Sequence, residues 1–181
     1  MSANNRRDNI VRPALGSLLS NEIVYDRTDQ SHNHIDSPEI LEEALFRVDS
    51  LDRRYFRETV KFDREVGLSH CVETTESDQI ILAKRTGRAG VTRFVVDREP
   101  ADTNEVTVVL MRETGRLGSF VLISAMFGAS SREPWDPRLL TPEEKKESKE
   151  FWESHALVWD PDRNTIDFSV RITEEPKDIA S

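Results

Sequence analysis

Cysteine is nearly missing from the chain: Cys71 is the only one in 181 residues. That excludes an intramolecular disulfide and a thiolate metal cluster, and it predicts a reducing compartment with Cys71 as a structural thiol. Long apolar runs are missing too. None approaches the roughly 18–20 residues a bilayer span needs, and the polar stretch Met1 to Asn9 has no signal-type apolar core. A cytoplasmic protein with no membrane association is therefore expected. Positive charge is in deficit, with a formal net charge of −9, so binding of nucleic acid through the whole surface is excluded and any such contact must be local. The sequence also lacks a phosphate-cradling P-loop, a G-x-G-x-x-G turn, an H-E-x-x-H pair, a nucleophile elbow and zinc-finger spacing, which removes the usual routes to nucleotide-driven and zinc chemistry.

What is present is enough apolar residue for one core, 36% of the chain, beside 33% charged residues that must be solvated. The expected organisation is a partly disordered or loosely packed segment over 1–37, one α+β domain over 38–172, and an acidic tail over 173–181. Ser37 followed by Pro38 starts a helix, because the hydroxyl caps exposed N–H groups and proline lacks a donor where none is needed. Ile40, Leu41, Ala44, Leu45 and Val48 form its apolar stripe. A second, charged helix is expected from Leu51 to about Val66, stopped by Gly67.

After Gly67 the pattern turns to short β-branched or alternating runs: 70–73, 79–85, 91–96, 105–111 and 119–127. The gaps at 87–90 and 115–118 are glycine turns, too short for helical crossovers, so these strands are predicted to be antiparallel neighbours. Thr141-Pro142-Glu143-Glu144 is a capping box that opens a helix to about Glu153. His155 to Trp159 and Thr165 to Ile172 then alternate and are expected to form a final hairpin. The fold class is α+β: N-terminal helices on a mostly antiparallel sheet, with a late helix and that hairpin.

Chemistry concentrates where charge reverses sign. Lys84, Arg85, Arg88, Arg93 and Arg98 fall within fifteen residues that hold one acid, Asp97. Converging on one sheet surface with Thr92 between them, these cations suit a phosphodiester; the alternative is pairing with the abundant acids. His70 and His155 are the side chains suited to proton transfer near neutral pH, or else hydrogen-bonded structural groups. Ser124 interrupts an apolar strand, where its hydroxyl serves a backbone group or a phosphate oxygen. Trp135, in a Pro-flanked loop, is the candidate stacking surface, whereas Trp152 and Trp159 are read as packed. His32, His34, Asp29 and Asp36 lie in an irregular stretch without supporting residues, so no metal or other cofactor is expected.

Helices first, then His70, the basic hairpin with Arg85, Arg88 and Arg93, and a strand carrying Ser124: this order resembles the barnase, EndoU, colicin and RelE-like superfamily of bacterial toxin ribonucleases. The resemblance spans about Glu39 to Trp159 and rests on element order and residue type. It implies a metal-independent endoribonuclease in which a base takes the ribose 2′-hydroxyl proton and cations stabilise the phosphorane, leaving a cyclic phosphate. Carried onto this chain, the catalytic set is His70, Arg85, Arg88, Arg93, Ser124 and His155, with Lys84, Thr92, Arg98 and Trp135 binding substrate. The implied partners are RNA, such as tRNA or mRNA, and a cognate inhibitor or antitoxin. Two other readings stay open: a non-catalytic module that docks RNA or an acidic protein through the basic hairpin, and an ADP-ribosyltransferase-like enzyme.

Overall fold

A computed structural model describes residues 9–13, 22–25, 34–48, 55–161 and 173–174. They fall into two compact units, each discontinuous in sequence, where the pattern predicts one domain over 38–172. The first unit takes described residues from Met1–Leu68 and Asp102–Ala129, the second from Ser69–Ala101 and Ser130–Ser181. Two helices and mostly antiparallel strands make the class α+β. No helix among the described residues is long and apolar enough to cross a membrane.

In the first unit one helix packs on a sheet. Helix α1 (Pro38–Phe46) begins where Ser37 accepts from the Ile40 N–H at 3.5 Å, with Pro38 in the first turn. Strands β1 (Asn9–Val11), β2 (Glu22–Tyr25), β3 (Tyr55–Lys61), β9 (Glu105–Arg112) and β10 (Ser119–Phe127) form the sheet in the order β1-β2-β10-β9-β3. Leu41, Ala44 and Leu45 of α1 join Ile23, Phe56, Val60, Val106, Val108 and Leu110 in one core. The stripe read from sequence is thus the buried face, and burying such a helix face against a sheet is what stabilises both.

The expected helix from 51 to 66 is not there: residues 55–61 form β3, antiparallel to β9 from Tyr55↔Met111 to Lys61↔Glu105. Phe56, Val60 and Phe62 are buried and all even-numbered, so the segment has period two, which a strand satisfies and a helix does not. Residues 51–54 lie outside the described set.

The second unit holds β5 (Cys71–Glu73), β6 (Ile80–Lys84), β7 (Val91–Val95), α2 (Pro142–Ser154), β11 (His155–Val158) and β12 (Thr173–Glu174), with sheet order β12-β6-β7-β11-β5. A separate ladder pairs β4 (Gly67–Ser69) with β8 (Ala101–Thr103). The β6–β7 hairpin matches expectation. The final hairpin does not: β11 lies parallel to β7 and antiparallel to β5. Its expected partner, 165–172, lies outside the described residues. The acidic tail begins instead with β12, paired to β6. Both faces of this sheet are apolar at their centres. One gathers Val72, Val95, Ala156 and Val158, the other Ala83 and Phe94 with Leu157 and Trp159.

Helix α2 shows the full capping box: Thr141 Oγ1 accepts from the Glu144 N–H at 3.1 Å, and the Glu144 carboxylate accepts from the Thr141 N–H at 3.0 Å. Its last turn has no basic residue of its own. The sheet supplies one. Arg93 Nη1 donates to the carbonyls of Trp152 (3.4 Å) and His155 (3.0 Å) and to Thr74 Oγ1 (3.0 Å), while the Thr74 N–H donates to the Ser154 carbonyl at 2.8 Å. Carbonyls that a helix leaves without partners are satisfied by a cation at the negative end of its dipole. Arg93→Met is therefore expected to cost about 1.5–3 kcal/mol, the range for hydrogen bonds to a charged group. Urea unfolding against a Lys146→Gln control on the solvated face of α2 checks this, and a cost equal to the control's would contradict it.

Candidate active site

Glu133 is where the second unit's polar chemistry converges. It arrives on the loop between β10 and α2, and its side chain is 9% exposed. Arg85 Nη2 donates to Glu133 Oε2 at 2.6 Å, Arg85 Nε donates to Thr92 Oγ1 at 3.1 Å, and the Thr92 hydroxyl donates to Glu133 Oε1. The hydroxyl of Thr92, itself 1% exposed, is spent on orienting the carboxylate. Each carboxylate oxygen still has a lone pair to offer, and the guanidinium, a quarter exposed, keeps an edge toward solvent. Replacing a buried ion pair by apolar residues is often neutral or stabilising, so fold stability is a poor reason for this one. A buried carboxylate held against a partly exposed guanidinium is the kind of group pair that acid–base and anion chemistry uses.

Helix α2 sets the position of Glu133. Its two buried side chains, Ser148 and Trp152, are four residues apart and so share a face. Both donate to one acceptor, the Arg132 carbonyl, at 2.6 and 2.8 Å. The peptide before Glu133 is thereby fixed. The loop then closes on itself, with the Asp136 N–H donating to the Glu133 carbonyl at 2.8 Å and Arg138 Nη2 donating to the buried Asp136 carboxylate at 2.6 Å. Trp135 covers the hairpin beside them. Its indole N–H donates to the Val91 carbonyl at 2.8 Å, and a Cβ on Gly90 would sit 2.1 Å from its ring. Gly90 is required because the indole occupies the place of a side chain.

His155 completes the set. Strand alternation puts it on the side of β11 that carries Leu157, which packs with Phe94 and lies beside it in the β7–β11 register. Phe94 is two residues from Thr92, so His155, Thr92, Arg85 and Glu133 belong to one sheet face. The imidazole stacks on Phe151 at 4.0 Å between centroids, and Nδ1 lies 3.0 Å from the Phe151 carbonyl. Nδ1 also lies 2.9 Å from the Ser154 hydroxyl, so that nitrogen is engaged by the end of α2 and Nε2 is the one left for exchange with a substrate.

The remaining sequence-predicted residues go elsewhere. Arg93, adjacent to Thr92, points to the opposite face and serves α2. His70 lines an open pocket of about 580 Å³ with Asp97, Arg98, Glu99, Trp159 and Asp160, at the carboxyl ends of β7 and β11. Because β7 carries the chain about 13 Å from Thr92 to Val96, His70 does not join Arg85. Arg98 donates to Asp78 at 3.1 Å. Asp78 is held below the usual carboxylate range first by the Thr75 backbone N–H and then by Arg98, against the opposing effect of burial. Lys84 ends β6 and alternates away from Arg85, and Arg88 is exposed in the turn that follows. Ser124 belongs to the first unit, where it pairs with Val109 just after a register shift in β10. Glu133 was not anticipated, since an acid in a polar loop carries no signal of its own.

Arg138 holds the Asp136 carboxyl below its ordinary range, chiefly by hydrogen bonding and against burial. A carboxylate with a depressed folded-state pKa contributes stability that is complete above its unfolded value and is lost as pH falls through the folded one. The loop that carries Glu133 is thus expected to loosen below about pH 4. Tryptophan fluorescence followed from pH 6 to 2 should show a shallower acid transition in Asp136→Asn than in the parent, and superimposable curves would refute the assignment. No protein-family model, curated protein or solved structure matches this chain.

Proposed function

We propose that the protein is a metal-independent endoribonuclease whose reacting groups are Glu133, Arg85 and His155. One observation carries the reading: a buried carboxylate, oriented by Thr92 and Arg85, shares a sheet face with a histidine whose Nδ1 is already occupied. In this mechanism the Glu133 carboxylate takes the proton of a ribose 2′-hydroxyl. The 2′-oxygen attacks the adjacent phosphorus, and Arg85 stabilises the charge that builds on the phosphoryl oxygens. The bond to the 5′-oxygen breaks, and that oxygen takes the Nε2 proton of a doubly protonated His155, which is left as the neutral imidazole. The products are a 2′,3′-cyclic phosphate and a free 5′-hydroxyl, with the enzyme left carrying its proton on the carboxyl group. The acidic chain repels RNA at long range, which suits an enzyme that meets its substrate through a local basic patch.

The test is cleavage of total RNA and of a defined oligoribonucleotide in excess chelator, with the ends mapped for cyclic phosphate. Glu133→Gln and His155→Ala are each expected to slow cleavage by about 10²–10⁴-fold, and Arg85→Ala by about 10²–10³-fold, with circular dichroism unchanged. Loss of cleavage in His70→Ala but not in His155→Ala would move the acid–base group to the pocket. Intact RNA with every substrate would leave the hairpin as a binding surface without catalysis.

A further inference from the structure

The turn beyond Arg85 presents a second cation in a fixed relation to it. The Arg88 N–H donates to the Arg85 carbonyl at 3.0 Å, closing a β-turn over Arg85, Thr86, Gly87 and Arg88. Gly87 has φ 75°, and no residue other than glycine has positive φ among the described residues, which makes the turn type II with glycine at its third position. Such a turn holds the Cα atoms of its first and last residues within about 7 Å of each other. Arg85 and Arg88 are therefore neighbours by backbone geometry, whatever their side chains do.

Their surroundings differ. Arg85 is tied to Glu133 and Thr92, whereas Arg88 is exposed and makes no side-chain hydrogen bond or ion pair among the described residues. In a chain with 34 acidic side chains, an arginine left without one beside the candidate active site is available for an external anion. Guanidinium favours phosphate because its fork matches two oxygens at once.

We infer that Arg88 is a second phosphate subsite, one nucleotide step from the phosphodiester held by Arg85, so that the preferred substrate is an RNA strand carrying at least two consecutive phosphodiesters. This rests on the ribonuclease reading. It assigns Arg88 to binding of the strand and leaves the reacting phosphate to Arg85, and the turn between them keeps their Cα atoms within about 7 Å, close enough for both side chains to reach one strand. A dinucleoside monophosphate has no group to fill the second position. A trinucleoside diphosphate does.

The experiment compares these two substrates in the parent and in Arg88→Ala, with Arg88→Lys as the conservative variant. The parent is expected to prefer the trinucleoside diphosphate at least tenfold in kcat/KM, mainly through KM. Arg88→Ala is expected to bring that preference close to one, and Arg88→Lys to restore part of it. Binding of 2′-deoxy analogues, which lack the nucleophile and cannot be cleaved, reads the same preference in Kd. For a 2′-deoxy hexanucleotide, the slope of log K against log salt is expected to fall by about 0.7 in Arg88→Ala, the loss of one phosphate contact on a single strand. A length preference that survives in Arg88→Ala, or equal losses on both lengths, would overturn the subsite. If the parent cleaves nothing, the nuclease reading fails while the 2′-deoxy strands still decide whether Arg88 reads a second phosphate.

Discussion

Two hydrogen bonds to a single carbonyl organise the second unit. Ser148 and Trp152 both donate to Arg132, and the next residue is the carboxylate that meets Arg85 and Thr92. Helix α2 has little apolar surface to bury; its attachment is polar and directional, and directional contacts fix position where apolar ones fix only proximity. The same helix is held at its carboxyl end by Arg93 from β7, so sheet and helix each supply what the other leaves unsatisfied. Shifting α2 along its axis would disturb the carboxylate and the imidazole together, since Glu133 hangs from its middle and His155 from its end.

This arrangement divides the basic cluster by role. Five cations that look equivalent in sequence fall into distinct environments: Arg85 against a buried acid, Arg93 on helix carbonyls, Arg98 on Asp78, and Lys84 and Arg88 toward the hairpin end. Alternation along β6 and β7 performs the sorting, because adjacent side chains on a strand face opposite ways. A patch of five charges, spread over two faces and two ends, becomes one guanidinium at the site and one beside it.

Local signals were legible in the sequence, and long-range pairing was not. Ser37-Pro38 and the capping box at Thr141 locate both helices, since the groups that start a helix lie within four residues of each other. The glycine turns likewise predict the β6–β7 and β9–β10 hairpins. Residues 55–61 misled because charges among their aromatic residues imitate an amphipathic helix, while the even spacing of Phe56, Val60 and Phe62 belongs to a strand that needs β9 to bury it. Arg85 and His155 were visible as residue types. Glu133 was not, because its partners Thr92 and Arg85 lie 41 and 48 residues away in the chain and only the folded sheet brings them within reach.

The place of β11 bears on when the protein acquires its chemistry. This strand lies inside the sheet, between β7 and β5, although it is made long after both. During synthesis the second unit has a gap at its centre until Val158 has emerged, and neither the imidazole nor the α2 anchor for Glu133 exists before then. An activity built on this site is confined by chain topology to molecules whose synthesis has passed Val158, because a chain released earlier lacks the strand between β7 and β5.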